Sequence, residues 1–267
     1  MVSFPNAKIN LGLNITQKRA DGFHDIETIF YPIPWYDILE IIPSNNVSFT
    51  SSGLPIPGTS SDNLCVKAYH LLANAYKLPP VHIHLRKEIP MGAGLGGGSA
   101  DAAFTLRLLN DLFELSLSKD EMASFAGQLG SDCPFFIYNT PHMATGVGDI
   151  LSPHPIDLKG YHLTLVYPGT HISTAEAYGG VSPQQSTFNL SELYHHHPSV
   201  WHNHLKNDFE EHLFKRYPTL NDISNQLTDA GAIYTAMSGS GSTIFGIFET
   251  PPLLNFPDRF TVKGLSL

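Results

Sequence analysis

PMGAGLGGGSADAAF, residues 90–104, places five glycines within the seven positions from Gly92 to Gly98 and then runs into a helical pattern. Glycine at that density gives up chain entropy on folding, and a plain turn needs only one or two. The residues before the run, VHIHLRKEI, alternate at period two and predict a strand. After it, Ala102, Leu106, Leu109 and Phe113 recur at three- and four-residue spacing, which predicts a helix with Ser99 as its cap. Gly92, Gly94 and Gly97 match the dinucleotide fingerprint G-x-G-x-x-G. That fingerprint belongs to the first strand–helix turn of its domain, whereas here the run starts only at residue 90. A Walker A loop is excluded, because no G-K-[ST] closes the run. The remaining reading is physical. Consecutive glycines let backbone N–H groups face one concavity, and a helix N-terminus adds unpaired donors and partial positive charge. Together they hold a phosphate chain.

A second glycine-serine loop, residues 237–243 (MSGSGST), lies between apolar strands. Alone it reads as a hairpin turn. Beside the first loop it reads as a second phosphate or substrate clamp through Gly239 and Gly241. Strands are expected near residues 2–15, 26–33, 37–42 and 162–167, and around the 237–243 loop. Asp21-Gly22 centres a turn. Helices are expected at 64–76, capped by Asp62 or Asn63, and at 118–129, where Ser118 and Glu121 have capping-box spacing. Others are expected after Ser173, near 207–217 and at 220–229. CPFFI reads as a short buried strand or turn, and 182–204 as an irregular, mobile loop. Strands and helices without regular βαβ alternation give an α+β class. The pattern restarts after Pro153, dividing the chain into residues 1–152 and 153–267.

The 267 residues are 42% hydrophobic and 15% charged, which suits a folded core and excludes a disordered chain. A formal net charge of −9 argues against a nucleic-acid partner, but leaves room for a local site that takes a small anion. Cys65 and Cys133 stand far apart and make no C-x-x-C pair, which points to a reducing compartment and away from zinc. With no targeting pattern at the start and no apolar run of roughly 18 residues, the expectation is a soluble, cytoplasmic protein without a membrane partner, a monomer or weak homodimer.

The glycine run resembles the second motif of the GHMP kinases. PNAKINLGLNI (5–15) resembles their first motif and AMSGSGSTIFGIF (236–248) their third. Finer resemblance, to the GHMP kinases acting on a cytidine-diphosphate derivative of methylerythritol, is carried by AKINLGLNITQKRADGFHDIETIF, SDNLCVKA, KEIPMGAGLGGGSADAA, LGSDCPFF, ATGVGDIL and NDFE, in that order. It spans nearly the whole chain. Departures are Ala100 after Ser99, Ser131 and Cys133 around Asp132, and Phe23 where a tyrosine is common.

The resemblance implies an α+β fold of two domains, the first like the second domain of ribosomal protein S5 and the second ferredoxin-like, with the site in a cleft between them. It implies transfer of the ATP γ-phosphoryl group to the 2-hydroxyl of 4-diphosphocytidyl-2-C-methyl-D-erythritol, with Mg²⁺ whose ligands the sequence does not name. Pro90, Met91, Gly92, Ala93, Gly94, Leu95, Gly96, Gly97, Gly98, Ser99 and Ala100 would wrap the ATP phosphates, and Asn63 would contact the adenine side or simply cap a helix. Asp132 matches the catalytic aspartate and Lys8 the lysine beside it. Read without the family, Asp132 is equally ordinary turn chemistry, and Lys8 is a lysine oddly set in an apolar strand pattern. Asn10, two residues on, shares the face of Lys8 and would bind the substrate's polar part. Phe23, His24 and Tyr178 match groups around the cytosine, although such aromatics also serve cores. Thr174 would hold the diphosphate or cap its helix.

Two alternatives stay open: a GHMP kinase of homoserine or mevalonate type, and a nucleotide-binding module without turnover. His195, His196, His197, His202 and His204 lack the helical or strand spacing that aims ligands at one point, and are read as solvated.

Overall fold

The structure is a computed structural model that describes residues 1–267. The chain forms two compact units that interleave along the sequence. One comprises Met1–Ala7, Trp35–Met91 and Gly96–Thr140, and the other Lys8–Pro34, Gly92–Leu95 and Pro141–Leu267.

The first unit has a sheet of four strands: β1 (Val2–Ser3), β4 (Ile38–Pro43), β6 (Val81–Lys87) and β5 (Ser48–Gly53), in that order. β4 runs antiparallel to both neighbours and β5 parallel to β6. Along β6 the alternation expected of VHIHLRK is realised. Val81, Ile83, Leu85 and Lys87 point inward, while His82 and His84 bond Ser48, Thr50 and Ser52 of β5. Four helices complete the unit: α1 (Leu64–Tyr76), α2 (Gly97–Leu112), α3 (Lys119–Gly127) and α4 (Cys133–Tyr138). Asn63 caps α1, its side chain accepting from Cys65 N at 2.9 Å. Ser118 and Glu121 form the expected capping box on α3.

Two expectations in this unit are corrected. Gly96, at φ +69°, occupies the N-cap of α2, so Ser99 lies inside the first turn. A left-handed entry excludes a serine cap there and suits glycine. CPFFI is a helical turn, not a strand: Pro134 presets the first turn and Asn139, at φ 54°, closes it.

The second unit carries two four-stranded sheets, ordered β2-β3-β7-β8 and β10-β11-β9-β12. The first consists of β2 (Asn6–Lys18), β3 (His24–Tyr36), β7 (His142–Thr145) and β8 (Ile150–Pro153); the second of β9 (His162–Tyr167), β10 (Tyr234–Met237), β11 (Ile244–Phe248) and β12 (Thr261–Ser266). The Asp21-Gly22 turn joins β2 to β3, with Arg19 N donating to Phe23 O and Gly22 at φ +89°. Strands β7, β8 and β12 were not expected; each is short, and a register of four to six residues shows little periodicity.

Helices α5 (Thr174–Gly179), α6 (Glu210–Arg216) and α7 (Pro218–Asp229) share a core with both sheets that includes Leu13, Phe209, Leu213, Ile223, Met237 and Phe248. The cap of α5 is Ser173, which accepts from Glu176 N, so Thr174 is its first helical residue rather than its cap. Residues 182–204 are not wholly irregular. They contain 3₁₀ turns at Leu190–His195 and Pro198–Asn203 that bury Leu190, Leu193 and Trp201. No helix is long and apolar enough to cross a membrane.

Candidate active site

In the first unit, α2 presents its N-terminus immediately after the glycine run. A 16-residue helix has a full set of unpaired N–H donors there. A cavity of about 100 Å³ lies beside it, lined by Ile56, Asn63, Leu64, Met91, Gly98 and Asp101 among others. Three residues expected to meet ATP, Asn63, Met91 and Gly98, thus share one cavity. Its lining is mixed, with Ile56, Leu64 and Met91 beside the polar Asn63 and Asp101.

Beneath this wall lies a group that the sequence reading missed. Lys87 Nζ bonds Asp37 Oδ2 and Asp101 Oδ2, both at 2.6 Å, and all three side chains are buried. Burial opposes the ammonium, but Asp101 and Asp37 outweigh it and hold the Lys87 pKa above the ordinary lysine value. Burial pushes the Asp101 carboxyl up to about 7, against the pull of Lys87. Asp37 Oδ1 also accepts from Glu88 N and Ile89 N, at 2.6 and 2.9 Å. The ion pair therefore anchors the backbone just ahead of the glycine run. A β-carbon at Gly97 would come within 3.0 Å of Lys87 Nζ, which explains one of the five glycines. Lys87 falls on the apolar face of an alternating strand, a signal readable in the sequence.

Asp132 sits at the N-cap of α4, partly exposed, and its side chain does not cap the helix. Cys133 next to it is buried, and burial pushes its thiol up to about 12. Cys65 is buried too, and both cysteines are free thiols.

In the second unit, Lys8 is buried and its ammonium donates to Asn10 Oδ1 at 2.5 Å. Asn10 Nδ2 donates to Thr28 Oγ1 at 3.0 Å, and Lys8 Nζ stands 4.8 Å from the centre of the Phe30 ring. The two side chains share one face of β2, as their spacing predicts. The backbone of β2 also reaches the glycine run, Lys8 N donating to Leu95 O at 3.0 Å.

Gly92, Gly94 and Gly96 take φ of +64°, +79° and +69°, so alternate glycines of the run adopt left-handed geometry. The 237–243 loop meets this run: Ser238 Oγ donates to Gly94 O at 2.8 Å, and Thr243 N to Ala93 O at 3.2 Å. Gly239 and Gly241 are also left-handed, at +56° and +87°.

His24 stacks on Tyr178, with ring centroids 4.8 Å apart and planes at 21°. Phe209 supports Tyr178 edge-on at 4.9 Å. Phe23 is 64% exposed, so it is not a core residue. Thr174 is exposed at the start of α5. The histidines of 195–204 go to local contacts: His204 stacks on Phe188 and His197 bonds Tyr161 and Ser199. No group of three or more His, Cys, Asp or Glu is placed to hold a metal.

The family model for the GHMP kinase N-terminal domain matches residues 63–140, and that for the C-terminal domain residues 190–255. The chain belongs to the GHMP kinases. Within them its relatives are named 4-diphosphocytidyl-2-C-methyl-D-erythritol kinase. The one from Cytophaga hutchinsonii is 55% identical over 94% of each chain, and that from Parabacteroides distasonis 51% over 99% of each. A crystal structure of 4-(cytidine 5'-diphospho)-2C-methyl-D-erythritol kinase, 30% identical, superposes with a TM-score of 0.81 over 94% of this chain and 91% of that one.

Proposed function

We propose that the protein transfers the γ-phosphoryl group of ATP to the 2-hydroxyl of 4-diphosphocytidyl-2-C-methyl-D-erythritol, a step of non-mevalonate isoprenoid synthesis. The observation that carries the choice of acceptor is the His24–Tyr178 stack with Phe23 exposed beside it in sequence. A flat aromatic platform suits a cytosine ring; homoserine and mevalonate have no ring to place there. The relatives' names support the same acceptor.

In this reading the acceptor oxygen attacks the γ-phosphorus, ADP leaves, and Asp132 takes the hydroxyl proton. Lys8, oriented by Asn10, supplies positive charge for the transferring group. The run from Pro90 to Ala100 wraps the phosphates, its glycines offering their backbone N–H groups, and Asn63 serves the adenine side. Gly239 and Gly241, with Thr174, serve the substrate. Mg²⁺ supplies charge neutralisation on the phosphates.

The two family matches fall on either side of the proposed division at residues 152/153. The reaction needs no macromolecular partner, so a monomer or weak homodimer in the cytoplasm suffices.

The test is ADP release by purified protein with ATP and magnesium, using the cytidine compound, homoserine and mevalonate in parallel. Release with the cytidine compound alone is expected. Release with homoserine or mevalonate instead would remove the cytosine reading.

A further inference from the structure

Within Asn207–Glu210, Phe209 backs Tyr178, whereas Asn207 and Glu210 take no part in the roles assigned above, and their side chains hold the backbone of Met237 and Gly239. Asn207 Nδ2 donates to Met237 O and to Gly239 O, both at 2.8 Å, and its Oδ1 accepts from Phe209 N at 3.0 Å. Glu210 Oε1 accepts from Met237 N at 2.6 Å. Both backbone groups of Met237 and the carbonyl of Gly239 are thereby held by two side chains one helical turn apart. Asn207 is buried, so each of these bonds replaces one that water cannot supply.

The loop so held is the one that touches the glycine run, through Ser238 Oγ on Gly94 O and Thr243 N on Ala93 O. A second route leads from the same segment. Leu13 N donates to Lys206 O at 2.8 Å, Asp208 N to Leu13 O at 2.9 Å, and Ile15 N to Asp208 Oδ2 at 2.7 Å. These tie the segment to β2, whose Lys8 N in turn holds Leu95 O. Residues 92–95 are therefore braced from both sides by one stretch of five residues, Lys206–Glu210.

We infer that Asn207 and Glu210 are positioning residues for the nucleotide: they hold the 237–243 loop against Gly94 and so set the geometry of the phosphate-binding run. This rests on the kinase reading above. Neither residue touches the nucleotide in this scheme; they act through Met237, Gly239 and Ser238. Asparagine is required at 207 because only an amide supplies two donors and an acceptor in that space. Aspartate has the same shape and no donor, and would set a carboxylate against two carbonyl oxygens.

The experiment compares Asn207→Asp, Glu210→Ala and Glu210→Gln with the unaltered protein. Affinity for ATP and for the cytidine substrate is measured separately by calorimetry, alongside kcat and thermal stability. Asn207→Asp and Glu210→Ala are expected to weaken ATP binding about tenfold or more, from the loss of one to two buried hydrogen bonds, and cytidine-substrate affinity clearly less, Gly239 and Gly241 being only part of that substrate's contacts. Glu210→Gln, which retains the acceptor, is expected to recover most of the loss. Wild-type ATP affinity and kcat in folded Glu210→Ala would overturn the proposal. So would an equal weakening of both ligands, which marks general loosening. Should Asn207→Asp not fold, the two Glu210 variants decide. Because calorimetry needs no turnover, an unaltered protein that binds ATP but releases no ADP would count against the acceptor reading alone.

Discussion

Gly94 and Ser238 are packed backbone to backbone: Ser238 Oγ donates to the Gly94 carbonyl at 2.8 Å, and a β-carbon on Gly94 would collide with the Ser238 carbonyl oxygen. Gly94 is also left-handed, at φ +79°. Gly94→Ala is therefore expected to cost about 2–4 kcal/mol, from left-handed strain and forced displacement of the 237–243 loop. Thermal denaturation checks the stability and calorimetry the accompanying loss of ATP affinity. An alanine variant with unchanged melting and nucleotide binding would show that the contact is not needed.

Asp132→Asn is expected to bind ATP nearly normally and to lose about 10²–10⁴-fold in turnover, the range for a general base. Steady-state ADP release with the cytidine substrate measures it. Turnover close to wild type would remove Asp132 as the base.

Tyr178→Ala removes the ring stacked on His24. Its main effect is expected on capture of the cytidine substrate, raising KM about tenfold through lost stacking, with kcat changed less. An unchanged KM for that substrate would count against the cytosine platform.

Lys87→Met leaves Asp37 and Asp101 buried without their cation. The expected cost is about 3–5 kcal/mol, as for a buried pair robbed of one partner. Replacing all three by apolar residues of similar size is expected to recover much of that loss in chemical denaturation, while ATP affinity stays impaired because Asp37 also holds the Glu88 and Ile89 amides.

Glu210 supplies a pH dependence. Burial pushes its carboxyl up from 4.5 to about 7. Between those values the folded state binds the proton and the unfolded state does not. Stability from this group is therefore fully present below about 4.5 and falls as pH rises towards 7. Glu210→Gln is expected to flatten that part of the stability–pH curve measured by urea denaturation. An identical slope in the variant would assign it to other groups.

Much of the site was readable before any tertiary contact was known. The glycine run, the Lys8–Asn10 spacing on one strand face and the Asp21-Gly22 turn each follow from local rules: period, turn chemistry and backbone freedom. Asn63 and Ser118 declared their helices because a cap is a bond within one turn of chain. Where the reading failed, backbone geometry at one or two residues decided two cases and tertiary burial the third. Ser99 was displaced from the cap of α2 because Gly96 enters the helix left-handed. CPFFI became helical because Pro134 and Asn139 bracket it, although its apolar run fits a buried strand equally well. Residues 182–204 gained order from burying Leu190, Leu193 and Trp201, which no periodicity announces.

The sequence by itself determined the class: motifs in order along nearly the whole chain, a phosphate-type glycine run, and the candidate base and lysine. Tertiary structure alone decided why particular glycines stand where they do. Gly97 is set by Lys87, itself held in a buried ion pair with Asp101 and with Asp37, 50 residues earlier in the chain, and Gly94 by Ser238, across 144 residues of chain. Those constraints are collisions and buried hydrogen bonds between distant segments. Their energy exists only once both partners are brought together and water is excluded, so no local reading of either segment contains them.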